Sequence, residues 1–315
     1  MRSRFLLLLL VLCLGFSVAN TTKAISVGPG LVDVTVDAGK QTDFSILVTN
    51  EEAQTLSFAL TIQKFIPQGD SGQVEFLSPN DTSGLPDWLF LEAPTLTLRS
   101  GESRNVSVSL RVPNDATPGG HYAAVFLTQT SLDTSAGQNV SAIPRIGVLV
   151  FATVNGNVVE KVALREARVE QISGSHLPAR FIVTVENNGN VHVLPSVRID
   201  ITNVFRQTVA SLDGNTVDSR VLPGSARVFT SDWIKGSGVS DGGFWNELKQ
   251  EWSNGAIGWY EARIRVSSRV GDSGETLVRF QVWPWRSLSI GFGLILLLTF
   301  AYIGMRRSKP RLYSR

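Results

Sequence analysis

The sequence predicts an all-β protein: two tandem immunoglobulin-like β-sandwiches between an N-terminal signal peptide and one C-terminal transmembrane helix. Three observations predict it: period-two alternation of apolar residues, a loose internal repeat, and two apolar ends of different length. At the first end, Arg2 and Arg4 precede an apolar run over residues 5–16 broken only by Gly15, and Ser17-Val18-Ala19 fits a small-x-small cleavage site. This is the pattern of a signal peptide over residues 1–19, with cleavage as late as 24, and it is too short to span a bilayer. At the other end, residues 287–305 carry no charge and precede Arg306, Arg307, Lys309, Arg311 and Arg315. At about 1.5 Å per residue such a helix covers about 28 Å, close to the hydrocarbon thickness of a membrane. The basic tail, 306–315, is expected to stay in the cytoplasm and everything before the span to lie outside, as in a single-pass plasma-membrane protein.

Between the ends the period is two. Val32, Val34 and Val36 alternate with Asp33, Thr35 and Asp37; Phe44, Ile46 and Val48 alternate with Ser45, Leu47 and Thr49; Val106, Val108, Leu110 and Val112 alternate with Ser107, Ser109 and Arg111. Alternation in β-branched residues means strands with one buried face. Turn clusters such as Pro67-Gln68-Gly69-Asp70 and Pro113-Asn114-Asp115 separate them at sandwich spacing. The repeat follows three landmarks in one order. Val48-Thr49-Asn50-Glu51 corresponds to Val185-Glu186-Asn187-Asn188, and Leu98-Arg99-Ser100-Gly101-Glu102 to Val221-Leu222-Pro223-Gly224-Ser225. Gly120-His121-Tyr122 then corresponds to Gly258-Trp259-Tyr260, where a tyrosine corner would sit in each sandwich. The turn signal Asn155-Gly156-Asn157 divides a first sandwich, 25–155, from a second, 158–282.

Charge and cysteine narrow the function. The chain sums to +2, but setting aside the two leader arginines and the five basic tail residues leaves 22 basic against 27 acidic, a net of about −5. That argues against nucleic acid as a partner. The single cysteine, Cys13, lies in the leader, and Leu10-Val11-Leu12 lacks the small residues expected before a lipid-attachment cysteine. The mature domains are therefore expected to hold together by packing, without a disulfide or thiolate metal site.

Ile25-Ser26-Val27-Gly28-Pro29-Gly30, Val48-Thr49-Asn50, the Gly101-Glu102-Ser103 turn and the run Val112-Pro113-Asn114-Asp115-Ala116-Thr117-Pro118-Gly119-Gly120-His121-Tyr122 resemble the WxL-interacting cell-surface proteins. The resemblance implies a bacterial, non-catalytic surface protein whose first sandwich binds cell wall (peptidoglycan) and whose second binds other surface proteins. The same grammar occurs in pilus chaperones. A second expectation is thus a chaperone-like assembly factor for surface proteins, acting through an exposed strand edge, with the apolar run 146–154 as the candidate edge. The four N-x-S/T sequons, at Asn20, Asn80, Asn105 and Asn139, would matter only in a eukaryotic secretory route.

Chemistry is sparse. His121, His176 and His192 show no metal-ligand spacing and read as partly exposed polar residues near strand ends, so no metal or cofactor is expected. No nucleophile elbow, Walker loop or dinucleotide fingerprint occurs, and no enzyme is expected. Trp88 is either an inter-strand core residue or a sugar-stacking surface; with His121 and Tyr122 it forms the candidate binding set of the first sandwich. Trp283 and Trp285 flank Pro284 ahead of the span, where an interfacial aromatic belt belongs.

Residues 241–254 depart from the strand pattern. Phe244, Trp245, Leu248 and Trp252 fall on one stripe of a short amphipathic helix, opened by Asp241 or Gly242 and closed by Asn254-Gly255. Either the stripe caps the second sandwich as core, or the helix lies beside the outgoing last strand and rests on the bilayer or braces the stalk. Phe244, Trp245, Trp252, Trp283 and Trp285 are therefore the membrane-proximal candidates.

Overall fold

The computed structural model of the protein describes residues 25–130, 145–171, 176–236 and 243–307. The expected signal peptide, nearly all of the basic tail and the helix-opening residues Asp241 and Gly242 lie outside them. Two compact units emerge. One holds the residues up to Lys64, Leu77–Ala116 and Tyr122–Ala152; the other holds Phe65–Phe76, Thr117–His121 and the chain from Thr153 onward.

Alternation produces the strands as expected. In the first sandwich one sheet has the order β1-β3-β8-β6, formed by β1 (Ile25–Gly28), β3 (Gln41–Asn50), β8 (Ser103–Arg111) and β6 (Leu89–Leu91). The other has the order β2-β10-β9-β4-β5, from β2 (Leu31–Val36), β10 (Arg145–Val154), β9 (Gly119–Gln129), β4 (Leu56–Gln68) and β5 (Gln73–Phe76), with β7 (Thr95–Leu98) also paired to β4. A single helical turn, α1 (Leu85–Trp88), leads into β6. Ile46, Val48, Val106, Val108 and Leu110 are buried at alternate positions of β3 and β8, each such side chain worth about 1.5–3 kcal/mol of burial. One expectation is overturned. The run 146–154 is β10, which lies between β2 and β9, so its backbone is flanked on both sides and offers no free edge. Its near-continuous apolar pattern reflects an interior strand with Val148, Val150, Ala152 and Val154 fully buried.

The second sandwich sets β11 (Val162–Gln171), β12 (Ala179–Asn187) and β15 (Ala226–Trp233) in the order β11-β12-β15. Its other sheet has the order β14-β13-β16-β17, from β14 (Thr208–Asp213), β13 (Ser196–Asn203), β16 (Gly258–Ser268) and β17 (Gly271–Val282). The core includes Phe181, Val183, Val185, Ile199, Ile201, Ala262 and Ile264. An aromatic knot closes one end: Trp233 meets Tyr260 edge-on at 4.9 Å, Tyr260 stacks on Phe280 at 5.8 Å, and Phe181 meets Phe280 at 5.6 Å. The Tyr260 hydroxyl donates to Ile257 O at 3.3 Å, three residues upstream, as a tyrosine corner requires.

The repeat has a physical centre in each sandwich. Asn50, fully buried, donates through Nδ2 to Gln54 O, Leu98 O and Arg99 O at 2.8–3.1 Å and accepts from Glu52 N at 3.0 Å. Asn187, also fully buried, donates to Val191 O and Val221 O, both at 2.8 Å, and accepts from Gly189 N at 2.9 Å. The backbone of each asparagine pairs with a glycine turn, Gly101 N to Asn50 O at 2.8 Å and Gly224 N to Asn187 O at 2.9 Å. Both glycines have positive φ, 72° and 65°, which a side chain would disfavour. Each asparagine thus ties the end of one strand to the turn opening another.

The outer faces carry ion pairs. Arg180 makes a two-toothed bond to Asp232 at 2.7 and 2.8 Å, which holds the Asp232 carboxyl below its usual range. Asp200 is likewise lowered, chiefly by the Ser211 hydroxyl at 2.6 Å and further by Arg265 and Arg198. His176 departs from expectation. It is 3% exposed, next to the fully buried Leu177, with Nδ1 2.8 Å from Leu177 O.

Candidate functional site

The site is the junction of two helices at the end of the second sandwich. β15 leaves the sheet at Trp233, and α2 (Phe244–Asn254) intervenes before β16. Gly243 precedes the helix with φ 91°, and Gly255 closes it in the left-handed region at φ 50°, its N–H bonded to Glu251 O at 3.1 Å. The closing signal is thus where the sequence places it. The expected helix is present, but its packing inverts the core-cap expectation. Its buried residues are Gln250, Glu251 and Asn254, while Phe244, Trp245 and Trp252 are 51%, 74% and 73% exposed. Leu248 is half-buried. An amphipathic helix in a water-soluble fold buries its apolar stripe; this one presents it.

Polar chemistry does the docking. Asn254 Oδ1 accepts from Lys235 N at 3.1 Å and Gly236 N at 3.0 Å, tying the helix end to the chain leaving β15. Gly236 is needed there, since a Cβ would stand 2.5 Å from Ser253 O. Glu251 faces the other way. Its side chain is fully buried and reaches α3 (Trp285–Arg307), which begins three residues after β17. Glu251 Oε2 accepts from Ser287 N and Ser287 Oγ, both at 2.8 Å; Oε1 accepts from Arg286 N at 3.2 Å and lies 3.5 Å from Arg286 Nη1. Glu247 pairs with the same arginine.

A helix leaves its first N–H groups without internal partners, and Pro284 ahead of α3 has no side-chain oxygen to supply one. Glu251 replaces the missing cap from another helix. Its negative charge also sits at the positive end of the helix dipole. The α3 helix is long and apolar enough to cross a membrane by length and composition. It starts two residues before the expected span, so Trp285 is its first residue, 59% exposed, and not a flanking one. Trp283 stays in the connection, its Nε1 donating to Gln281 Oε1 at 3.1 Å and its ring 6.2 Å from that of Trp285.

The candidate set of the first sandwich is placed differently. Trp88 ends α1 beside β6, half-buried. His121 and Tyr122 lie near the start of β9, in the other sheet: His121 Nε2 is 2.9 Å from Thr117 O, and Tyr122 packs edge-on against Phe151 at 5.1 Å. Trp88 therefore precedes a strand of one sheet, whereas the other two lie on a strand of the other sheet. Among the described residues, no group of three His, Cys, Asp or Glu is placed to hold a metal ion.

The sequence reading found the aromatic stripe and placed Asn254 in the closing signal, but it gave no role to Glu247 or Glu251 and did not see that Asn254 docks the helix. A helix face carrying Glu247, Glu251 and Asn254 at spacings of four and three was the available signal.

No protein-family model matches the chain, and no curated protein matches it. Among solved structures, the class 5 fimbriae chaperone CfaA is similar over 82% of this chain and 100% of its own, at 9% identity and a TM-score of 0.41. The CsuC–CsuE chaperone–tip adhesion subunit complex from Acinetobacter baumannii is similar over 81% and 97%, at 12% identity and 0.37. The ASH/PapD-like domain of human CEP192 is similar over 44% and 92%, at 12% identity and 0.31. At these scores the likenesses carry no argument about what the chain does.

Proposed function

We propose that the chain is a non-catalytic surface protein anchored by α3, with the second sandwich braced against the membrane and the first sandwich holding another surface protein. The observation that carries the anchor is the inverted α2: its polar side caps α3 through Glu251, and its aromatic side faces outward beside a helix long enough to span. A bilayer is the surroundings in which that arrangement is favourable.

Partner capture follows from a contrast of edges. β11, at the edge of the second sandwich, carries Arg165, Glu166, Arg168 and Glu170, with Arg168 bonded to both glutamates at 3.1 Å. Charged edges discourage strand addition. β2, at the edge of the first sandwich, turns Val32 and Val36 inward and exposes only Asp33 and Thr35. It accepts an added strand at less cost, which favours the assembly-factor reading over wall binding.

The test uses the full chain in native membranes, with a photo-crosslinking residue at Thr35 or, as the control, at Glu166. A defined surface protein crosslinked at Thr35 and not at Glu166 supports strand capture. Co-sedimentation with peptidoglycan sacculi, without any Thr35 adduct, returns the first sandwich to wall binding. Release of the chain by alkaline extraction sinks the anchor.

A further inference from the structure

The same end of the second sandwich carries a second exposed apolar element. The β13–β14 turn presents Val204 and Phe205, 62% and 79% exposed, and Trp259 on β16 is 57% exposed beside it. The turn is held rigidly. Asn203 Oδ1 accepts from Phe205 N and Gln207 N, both at 3.0 Å, and Asn203 O accepts from Arg206 N at 2.9 Å. Arg206 takes φ 59°, a left-handed conformation that costs a non-glycine residue energy and is kept only where its surroundings impose it.

Register fixes where this turn lies. Asn203 pairs with Tyr260, Tyr260 with Phe280, and Gly258 with Val282, after which come Trp283, Pro284 and α3. The turn is therefore at the end of the sheet from which the chain enters α3. Strands are about 4.8 Å apart, so β13 is about 10 Å to the side of β17. Beside the turn a cleft of about 610 Å³ is lined by Thr202, Arg206, Trp259, Glu261, Arg263 and Arg279. Arg279 is bonded to Glu261 at 2.9 Å and Arg263 lies 3.4 Å from Glu275, whereas Arg206 makes no ion pair among the described residues.

We infer that the Val204–Phe205 turn and Trp259 enter the headgroup layer of the bilayer that α3 crosses, with Arg206 meeting lipid phosphate. The inference rests on the anchor reading above. Apolar side chains at the tip of a rigid turn, an indole beside them and a cation without a carboxylate partner suit that layer, where aromatic rings and basic residues are favoured. With α2 and this turn both at that end, the sandwich touches the membrane at two places besides its helix. Its tilt is then set by three contacts and not by the α3 connection alone.

The test places one environment-sensitive fluorophore at a time on the full chain, in a Cys13→Ser background, at Phe205→Cys, Val270→Cys or Leu296→Cys. The protein is reconstituted in phosphatidylcholine–phosphatidylglycerol vesicles with spin-labelled lipid. Val270 is 74% exposed in the turn between β16 and β17, at the opposite end of the same sheet, and Leu296 is mid-helix. The expected result is loss of most emission at Phe205 with headgroup-labelled lipid, loss at Leu296 with chain-labelled lipid, and none at Val270. Adding Arg206→Gln should weaken the Phe205 quenching when phosphatidylglycerol is present. Quenching at Leu296 with none at Phe205 overturns the turn contact and leaves the anchor standing. No quenching at Leu296 sinks both.

Discussion

Asn50 and Asn187 perform the same task in two sandwiches, yet only the second sandwich is interrupted between its glycine turn and its tyrosine corner. In the first, chain from the Gly101 turn runs through β8 to β9 with the short connection 112–118. In the second, the corresponding path from Gly224 through β15 to β16 carries 24 intervening residues, 234–257, with α2 among them. The shared parts are buried polar clamps and aromatic packing, which make a sandwich. The unshared part buries polar residues and exposes aromatic ones, which a sandwich does not need. The difference is confined to the insertion, which is the element on which the proposed membrane brace rests.

The comparison is broken most severely at the clamps. Asn50→Ala and Asn187→Ala should each destabilise by about 3 kcal/mol, because buried carbonyls and N–H groups lose their partners together. Hydrogen exchange read peptide by peptide should show the loss confined to the sandwich carrying the substitution. A loss spread over both would mean that the two do not unfold separately.

Glu251→Ala comes next and should separate brace from fold. Losing three N–H and O–H donors to one buried carboxylate should cost about 2 kcal/mol locally. The α2 amides should then exchange roughly tenfold to a hundredfold faster, with β12 and β16 unchanged. Unaltered α2 protection would show that Asn254 alone docks the helix. Tyr260→Phe removes one bond to Ile257 O and should cost about 1 kcal/mol, measured by the shift in urea midpoint.

The smallest effect is from pH. Asp200 and Asp232 are held below their unfolded values, so their stabilisation is complete above the unfolded carboxyl range and is lost as pH falls through the lowered folded values. Partly exposed pairs of this kind contribute about 1 kcal/mol or less each. Asp232→Asn should flatten the acid limb of the stability curve below about pH 4. An unchanged limb would mean that the Arg180 pair adds nothing.

Strand faces and repeat landmarks were legible because period two and buried asparagines leave local marks. The alternation at Val106, Val108 and Leu110 and the Asn50/Asn187 correspondence needed no partner to be seen. The edge assignment of 146–154 failed because an apolar run reports burial and not which neighbours flank it; β10 inserting between β2 and β9 decided that. For α2, periodicity revealed the stripe and Gly255 its end, but the direction the stripe faces depended on what stood behind it.

The sequence by itself determined the all-β class, the two-fold repeat, the helical insertion and the apolar C-terminal helix, since each is written in local spacing and length. Only the tertiary structure decided that α2 turns its glutamates inward. A buried carboxylate is tolerable where unpaired N–H groups wait for it, and those groups belong to Arg286 and Ser287, thirty-five and thirty-six residues further along the chain.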